Sequence, residues 1–371
     1  MKHRLLAFIS FVLLALLCVP VANILSTSNR VDIKWTKKSY LYNMDFVARM
    51  FARLLYPIGI STDPNQVIIG RDDWLYLGDL HDQTRTVDRR IATTADEKLG
   101  KDIGSAAKAW EKYLSSQGVK VFRVMIGPNK ETIYPEHMPI WSKTAWPNAT
   151  DALLEGTSNE IFIDLRAPLL AAKLSQQEKL YYKTDTHWNA LGAGIAFRSF
   201  ARQVETAAAD LVWPTESAYA TVRINSRAGG DLAYFLRLNS YLVDSEPIMG
   251  LSSLMVKITQ LDYYTKKVIS QAPNGEVGPT SIPILVKSEG ALNNKRVLWL
   301  RDSFGSAMSP FMAATFSDVL QLHWREGLKT PTHFIKLIED FKPEYVFFTV
   351  VERSSRAEVF TLYPPSIPAT K

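Results

Sequence analysis

Apolar residues fall at helical spacing between residues 94 and 113. Leu99, Ile103, Ala106, Trp110 and Tyr113 recur every three or four positions, Thr94 and Glu97 stand where a capping box would, and Gly118 marks a stop. The period then changes. "VKVFRVMIG", Val119 to Gly127, reads as a buried strand, and "PNKETIYPEHMP" after it reads as a loop. "IFIDLRAPLL", Ile161 to Leu170, adds a strand and turn. Near the C-terminus Val297 to Leu300 is a buried strand, Arg301-Asp302-Ser303 a tight turn, and a helix begins after Gly305; a second helix runs to Phe341, with a strand from Tyr345 to Val350. Helix, glycine, apolar strand and polar loop in succession predict an α/β domain on a parallel sheet with at least four strands. In such a domain ligands meet loops at the carboxyl ends of the strands.

Other stretches are less regular. "VIIGRDDWLYLGD", Val67 to Asp79, predicts two short strands around Arg71-Asp72-Asp73, and the aromatic and basic residues between 30 and 60 suit an amphipathic helix near a membrane or packed on the domain. Residues from about 212 to 290, rich in Thr, Tyr, Val and turn formers, predict a mostly irregular, β-rich insertion. Asn189 stands as the cap of a helix carrying Ala193, Ala196, Phe200 and Val204 on one face. At the N-terminus Lys2 and Arg4 precede an uncharged apolar run from Leu5 to Ala22, about long enough to span a bilayer, with no small-x-small cleavage site after it. An uncleaved anchor is favoured over a cleaved signal peptide, and the positive-inside rule leaves the remainder on the non-cytoplasmic side under either reading.

A composition of 47% hydrophobic and 22% charged residues over 371 positions excludes long disorder, and no fixed-period repeat or low-complexity tract points to a solenoid. The net charge of +6 is spread along the chain without a basic helix or zinc spacing, which argues against nucleic acid. Cys18, the single cysteine, lies in the apolar N-terminus, so disulfides and cysteine nucleophiles are excluded from the remainder.

The candidate chemistry lies in "YYKTDTHWNALG", residues 181 to 192. Asp185 and His187 are placed to orient each other, to share a metal ion, or to cap the following helix. A third residue bears on the choice. Ser303 sits where a strand hands over to a helix, so its hydroxyl projects from the carboxyl edge of the sheet beside free N–H groups. A lone serine there is commonly an N-cap, and Asp302 suits that role equally. A serine becomes a nucleophile only when a base takes its proton and an acceptor holds that base in one tautomer. His187 and Asp185 supply that pair, and none of the other five histidines has a comparable setting.

"DTHWNALGA" and "RDSFGSAM" resemble the paired signature of the SGNH-hydrolase-like domain of bacterial polysaccharide O-acetyltransferases, the group that includes AlgJ and AlgX. "VIIGRDDWLYLGD", "GPNKETIYPEHMP", "GGDLAYFL" and "FFTVVERS" match the same group in the same order, over roughly residues 65 to 353. The resemblance implies a three-layer α/β fold with a parallel sheet and the rearranged order Asp, His, Ser. It implies Ser303 as nucleophile, His187 as general acid/base and Asp185 as its orienting carboxylate; no metal or cofactor is expected, since no further histidine or acidic cluster stands at ligand spacing. Arg301 departs from the glycine often found before Asp-Ser, and no Gly-x-Asn-Asp block supplies an oxyanion asparagine; Asn129 is a candidate, beside the backbone N–H of Phe304. The expected organisation is an anchor or signal segment at 1–24, a juxtamembrane linker or helix at 25–64, and the catalytic domain at 65–371. The implied activity is O-acetylation of an extracytoplasmic polysaccharide in the periplasm, from the inner membrane, with acetyl supplied through a membrane-bound O-acyltransferase. An exported acetylesterase with the same three residues and a non-catalytic glycan-binding scaffold are the alternatives; a metal-dependent hydrolase ranks behind them.

Overall fold

Successive residues of the strand Asn293–Arg301 point to opposite sides of the sheet, and this alternation sorts the interior into two apolar layers. Val297 and Trp299 join one layer with Phe197 and Phe200 of the helix Ala190–Glu205 and with Met308 and Phe311 of the helix Gly305–Thr315. Leu298 and Leu300 join the other with Ile103 and Trp110 of the helix Thr94–Ser116 and with Phe334 and Leu337 of the helix Pro331–Phe341. The result is helices on both faces of a central sheet.

The computed structural model describes residues 2–26, 36–84, 86–142 and 144–365. In chain order the strands are β1 (Val67–Ile69), β2 (Leu75–Leu77), β3 (Val121–Gly127), β4 (Phe162–Asp164), β5 (Thr221–Ala228), β6 (Val243–Met249), β7 (Lys257–Asp262), β8 (Val268–Pro273), β9 (Ile284–Glu289), β10 (Asn293–Arg301), β11 (Phe316–His323) and β12 (Tyr345–Val351). β1 with β2 and β5 with β6 form two antiparallel ribbons. The other eight make one sheet in the order β4-β3-β12-β10-β11-β9-β7-β8. From β4 to β11 neighbours run parallel; β9, β7 and β8 add an antiparallel flank, so the sheet is mixed.

All four expected parallel strands form, and β11 is a fifth that the sequence pattern did not reveal. The region from 212 to 290 is more regular than expected, because β7, β8 and β9 extend the main sheet. The expected loop after Gly127 instead holds a buried helical turn, Lys130–Ile133, and a 3-10 turn, Pro135–His137. The strand at Phe162–Asp164 leads into a helix, Arg166–Ser175, where a turn was expected. The capping box lies one residue earlier than expected: Thr93 accepts from Asp96 N–H while Asp96 accepts from Thr93 N–H. Asn189 caps its helix as expected, accepting from Gly192 N–H. Between residues 30 and 60 a helix spans Asp45–Leu55; residues 30 to 35 lie outside the described ones. The N-terminal helix holds a 23-residue segment, His3–Leu25, with hydropathy 2.8 and an 18-residue window of which 6% is buried, long and apolar enough to cross a membrane.

The helices Thr94–Ser116 and Ala149–Gly156 touch backbone to backbone. A Cβ on Gly104 would stand 2.2 Å from the carbonyl oxygen of Gly156, and one on Gly100 2.5 Å from that of Ala152. In an exposed helix, glycine to alanine gains about 1 kcal/mol; here the overpacking cost of about 1–3 kcal/mol opposes and exceeds it. Gly104→Ala is therefore expected to lower the thermal unfolding midpoint, whereas a raised midpoint would show that the helices part freely.

Candidate active site

Asp302 decides what Ser303 is free to do. Its carboxylate accepts from the N–H of Phe304 at 3.0 Å through one oxygen, and from Val351 N–H at 2.7 Å and Trp324 Nε1–H at 3.3 Å through the other. The turn is thus capped by Asp302 and tied to β12. The Ser303 hydroxyl points elsewhere, to His187 Nε2 at 2.7 Å. On the other side of the ring, His187 Nδ1 lies 2.6 Å from Asp185 Oδ1. The three residues singled out in the sequence are thereby brought into one hydrogen-bonded line, with Asp185 buried. Asp185 accepts only if Nδ1 carries the proton, which leaves the Nε2 lone pair facing the serine O–H.

The loop that carries Asp185 and His187 is held from beneath by Lys130. Its buried ammonium donates to the carbonyls of Tyr182 (3.1 Å), Lys183 (2.9 Å) and Asp185 (2.7 Å), and lies over the rings of Trp74 and Tyr76. Burial pulls its pKa down to about 8, against the charges of Asp231 and Asp185. Asp244 holds the same loop from above, accepting from Lys183 N–H at 2.7 Å and Thr184 N–H at 3.1 Å. Gly230 leaves the room this needs, since a Cβ there would stand 2.2 Å from Asp185 Oδ2. Trp188 closes the floor by donating from Nε1 to the carbonyl of Phe304 at 2.9 Å.

Arg301, the departure from glycine, is almost fully buried and donates to Gln321 Oε1 and to the carbonyls of Val277 and Gly278. Gly305 makes space for it, as a Cβ there would meet its Cδ at 2.2 Å. Burial lowers the guanidinium pKa to about 10. The segment so tethered carries Glu276, which with Glu246, Tyr182, Met249, Ala307 and Phe311 lines a groove of about 560 Å³ beside the serine helix. Burial, reinforced by Glu246, raises the Glu276 carboxyl above the usual range.

The sequence did not reveal Asp231. It stands 46 residues from Asp185 in the chain, yet its carboxylate lies 3.6 Å from His187 Nδ1 and accepts from Thr186 N–H at 2.7 Å. Oxygen and nitrogen atoms of Asp185, His187 and Asp231 lie within 4.8 Å of one another, a spacing compatible with a metal ion. Their hydrogen bonds describe a different arrangement: both Asp231 oxygens accept from Thr186, and both His187 nitrogens are engaged by Asp185 and Ser303. Burial disfavours the imidazolium, but the hydrogen bond and charge of Asp185 and the charge of Asp231 outweigh it, so the His187 pKa lies above its ordinary 6.5. Asp185, despite burial, is held well below the carboxylate range by His187 and Arg227.

The two expected oxyanion groups are engaged elsewhere. Phe304 N–H serves Asp302, and Asn129, at 1% exposure, donates through Nδ2 to Asp88 at 2.9 Å.

Residues 67–248 match the model of the family described as the SGNH hydrolase-like domain of acetyltransferase AlgX; this span contains Asp185, His187 and Asp231 and stops short of Ser303. The probable alginate O-acetylase AlgJ of Pseudomonas syringae pv. tomato is 30% identical over 173 residues, 44% of this chain and 41% of that protein. Its namesake from Pseudomonas aeruginosa is 26% identical over 57% of this chain and 49% of its own length. The chain therefore matches less than half the length of either relative. Among solved structures, Bacillus cereus PatB1 with a sulfonyl adduct superposes with a TM-score of 0.57 at 16% identity, over 80% of this chain and 99% of that one, a likeness of fold.

The charges around His187 lead to a direct measurement. Its imidazole is expected to titrate above 6.5 by NMR, and Asp231→Asn, which removes one charge favouring the protonated ring, is expected to move the titration to lower pH. An unmoved titration would mean that Asp231 does not act on His187.

Proposed function

We propose, from the premise that this chain carries an AlgX/AlgJ-like SGNH hydrolase-like domain, that it is an acetyltransferase acting on the hydroxyl groups of an extracytoplasmic polysaccharide. The observation that carries this reading is the line Asp185–His187–Ser303, with hydrogen bonds of 2.6 and 2.7 Å and the serine hydroxyl freed from capping by Asp302. In the first half-reaction His187 Nε2 takes the serine proton as Oγ attacks the acetyl carbonyl. The tetrahedral intermediate collapses, the donor leaves with that proton, and acetyl-Ser303 remains. In the second half-reaction a sugar hydroxyl gives its proton to Nε2 and attacks the acetyl-serine; collapse returns the proton to Ser303 and releases the acetylated sugar. Asp185 keeps the Nδ1 proton in place and stabilises the imidazolium formed in both halves.

The relatives named as alginate O-acetylases support a polymeric sugar as acceptor. Transfer in preference to hydrolysis requires the sugar hydroxyl to out-compete water at the acetyl-serine. In this reading residues 65–371 are the catalytic part, 25–64 join it to the N-terminal segment, and the acetyl donor is loaded by a membrane-bound O-acyltransferase on the same inner membrane.

Ser303 is expected to form a covalent adduct with a sulfonyl fluoride, located by intact mass and peptide mapping. The adduct should fail to accumulate in His187→Ala and be indifferent to a chelator. Labelling undiminished in His187→Ala, or lost with the chelator, would overturn the serine reading in favour of another nucleophile or of metal chemistry. With an activated acetyl ester as donor, acetylated oligosaccharide is expected in preference to free acetate; acetate alone points to an esterase.

The apolar helix supports retention at the inner membrane with the domain in the periplasm. The mature protein is expected to keep Lys2 and Arg4 and to remain in the membrane fraction after a high-salt wash. A mature N-terminus anywhere beyond Ala22 would refute anchoring.

A further inference from the structure

With Ser303 as the nucleophile proposed above, attack converts the acetyl carbonyl oxygen into an oxyanion, which requires preorganised hydrogen-bond donors about 2.7–3.1 Å away. Phe304 N–H and Asn129 Nδ2 are committed to Asp302 and Asp88. The Ser303 N–H, in contrast, makes no hydrogen bond among the described residues and lies just before the N-terminus of the helix Gly305–Thr315, whose dipole favours negative charge. A second donor is needed on the opposite side of the oxygen.

We propose that the guanidinium of Arg353 is this second donor and that Arg353 is a catalytic residue. β12 is the hydrogen-bonded neighbour of β10, and the N–H of Val351, its last residue, donates to Asp302 itself; Arg353 follows two residues later, at the carboxyl edge beside the nucleophile. Its Cζ lies 5.6 Å from the centre of the Phe304 ring, and the His187 ring lies 5.3 Å from the same ring, so cation and base both stand against the residue that follows Ser303. Asn129 is its positioner: Oδ1 accepts from Arg353 Nη1 at 3.2 Å while Nδ2 is fixed by Asp88.

Arg353 is half-buried, yet no carboxylate among the described residues lies within ion-pair distance of it. The adjacent Glu352 is turned away, accepting from Asn129 N–H and Thr132 Oγ1, each at 2.7 Å. A partly desolvated cation without a counterion is poised for an anion that appears only during the reaction. Its charge reaches His187, where it opposes protonation of the ring.

The test uses the full chain with 4-nitrophenyl acetate, an uncharged ester, in wild type, Arg353→Met, Arg353→Gln and Arg353→Lys. Loss of the guanidinium in Arg353→Met and Arg353→Gln is expected to lower kcat/KM by about 100-fold or more. Arg353→Lys should recover part of it. The acid limb of the pH profile is expected to move upward in Arg353→Met, because a charge opposing His187 protonation is gone. Complete, though slower, sulfonyl labelling of Ser303 in the same variants would show that nucleophile and base remain assembled. Wild-type protein that fails to label at Ser303 overturns the serine reading itself. The role of Arg353 is overturned, with the serine intact, if Arg353→Met turns over the neutral ester at the wild-type rate and loses activity only toward an anionic sugar acceptor, which would make it a substrate-carboxylate site. It is also overturned if Arg353→Gln, which keeps a donor for Asn129 without the charge, restores the full rate, or if the variants lose labelling and thermal stability together.

Discussion

The hydrogen bond between His187 Nε2 and Ser303 Oγ joins residues 116 positions apart in the chain, and most of the surrounding structure fixes one of its two ends. Direct proton transfer along it needs the two atoms within hydrogen-bond reach, about 2.6–3.2 Å. The serine end is held by the sheet through Asp302, which ties the turn to β12 and to Trp324. The histidine end lies on a loop and needs other means. Lys130 draws three carbonyls of that loop inward, and Asp244 gathers the N–H groups next to them. Trp188 then links the ends directly, bonding from the histidine segment to the carbonyl of Phe304. A buried ammonium whose described hydrogen bonds go to carbonyls, with the rings of Trp74 and Tyr76 beneath it, is a costly device.

What was legible in the sequence follows from how far each signal reaches. Helices and strands with one clean period, such as Thr94–Ser116 and β3, were visible because the period is local. β11 escaped because Asp318 and Gln321 interrupt its apolar run and no glycine or proline separates it from the preceding helix. The buried turn at Lys130–Ile133 resembled a loop because lysine and glutamate normally mark solvent; their burial depends on partners more than 40 residues away, namely the Tyr182–Asp185 carbonyls and Arg89. The capping box was displaced by one residue because two threonines stand side by side and each has an acid three positions on.

The site divides in the same way. Asp185, His187 and Ser303 were identifiable because the chemistry of an activated serine calls for those residue types. Asp231, Lys130 and Arg353 lie in the matching blocks "GGDLAYFL", "GPNKETIYPEHMP" and "FFTVVERS", yet were not singled out, because nothing local shows that these segments meet the Asp185–His187 loop in space. Asn129 was picked out for the right neighbourhood, but it is buried beside Arg353 and bonds to it.

Arg301 grips the wall of the groove through the backbone carbonyls of Val277 and Gly278 and through no side chain of that wall. A carbonyl is the same group whatever residue carries it, so this attachment places almost no demand on local sequence. Side chains along that wall, Glu276 among them, can change while the main chain stays pinned to the Ser303 turn. The fold thereby separates the anchoring of the Ser303 turn from the lining of the groove: a point substitution on this wall can alter the groove's shape and charge without touching the contacts that hold the turn.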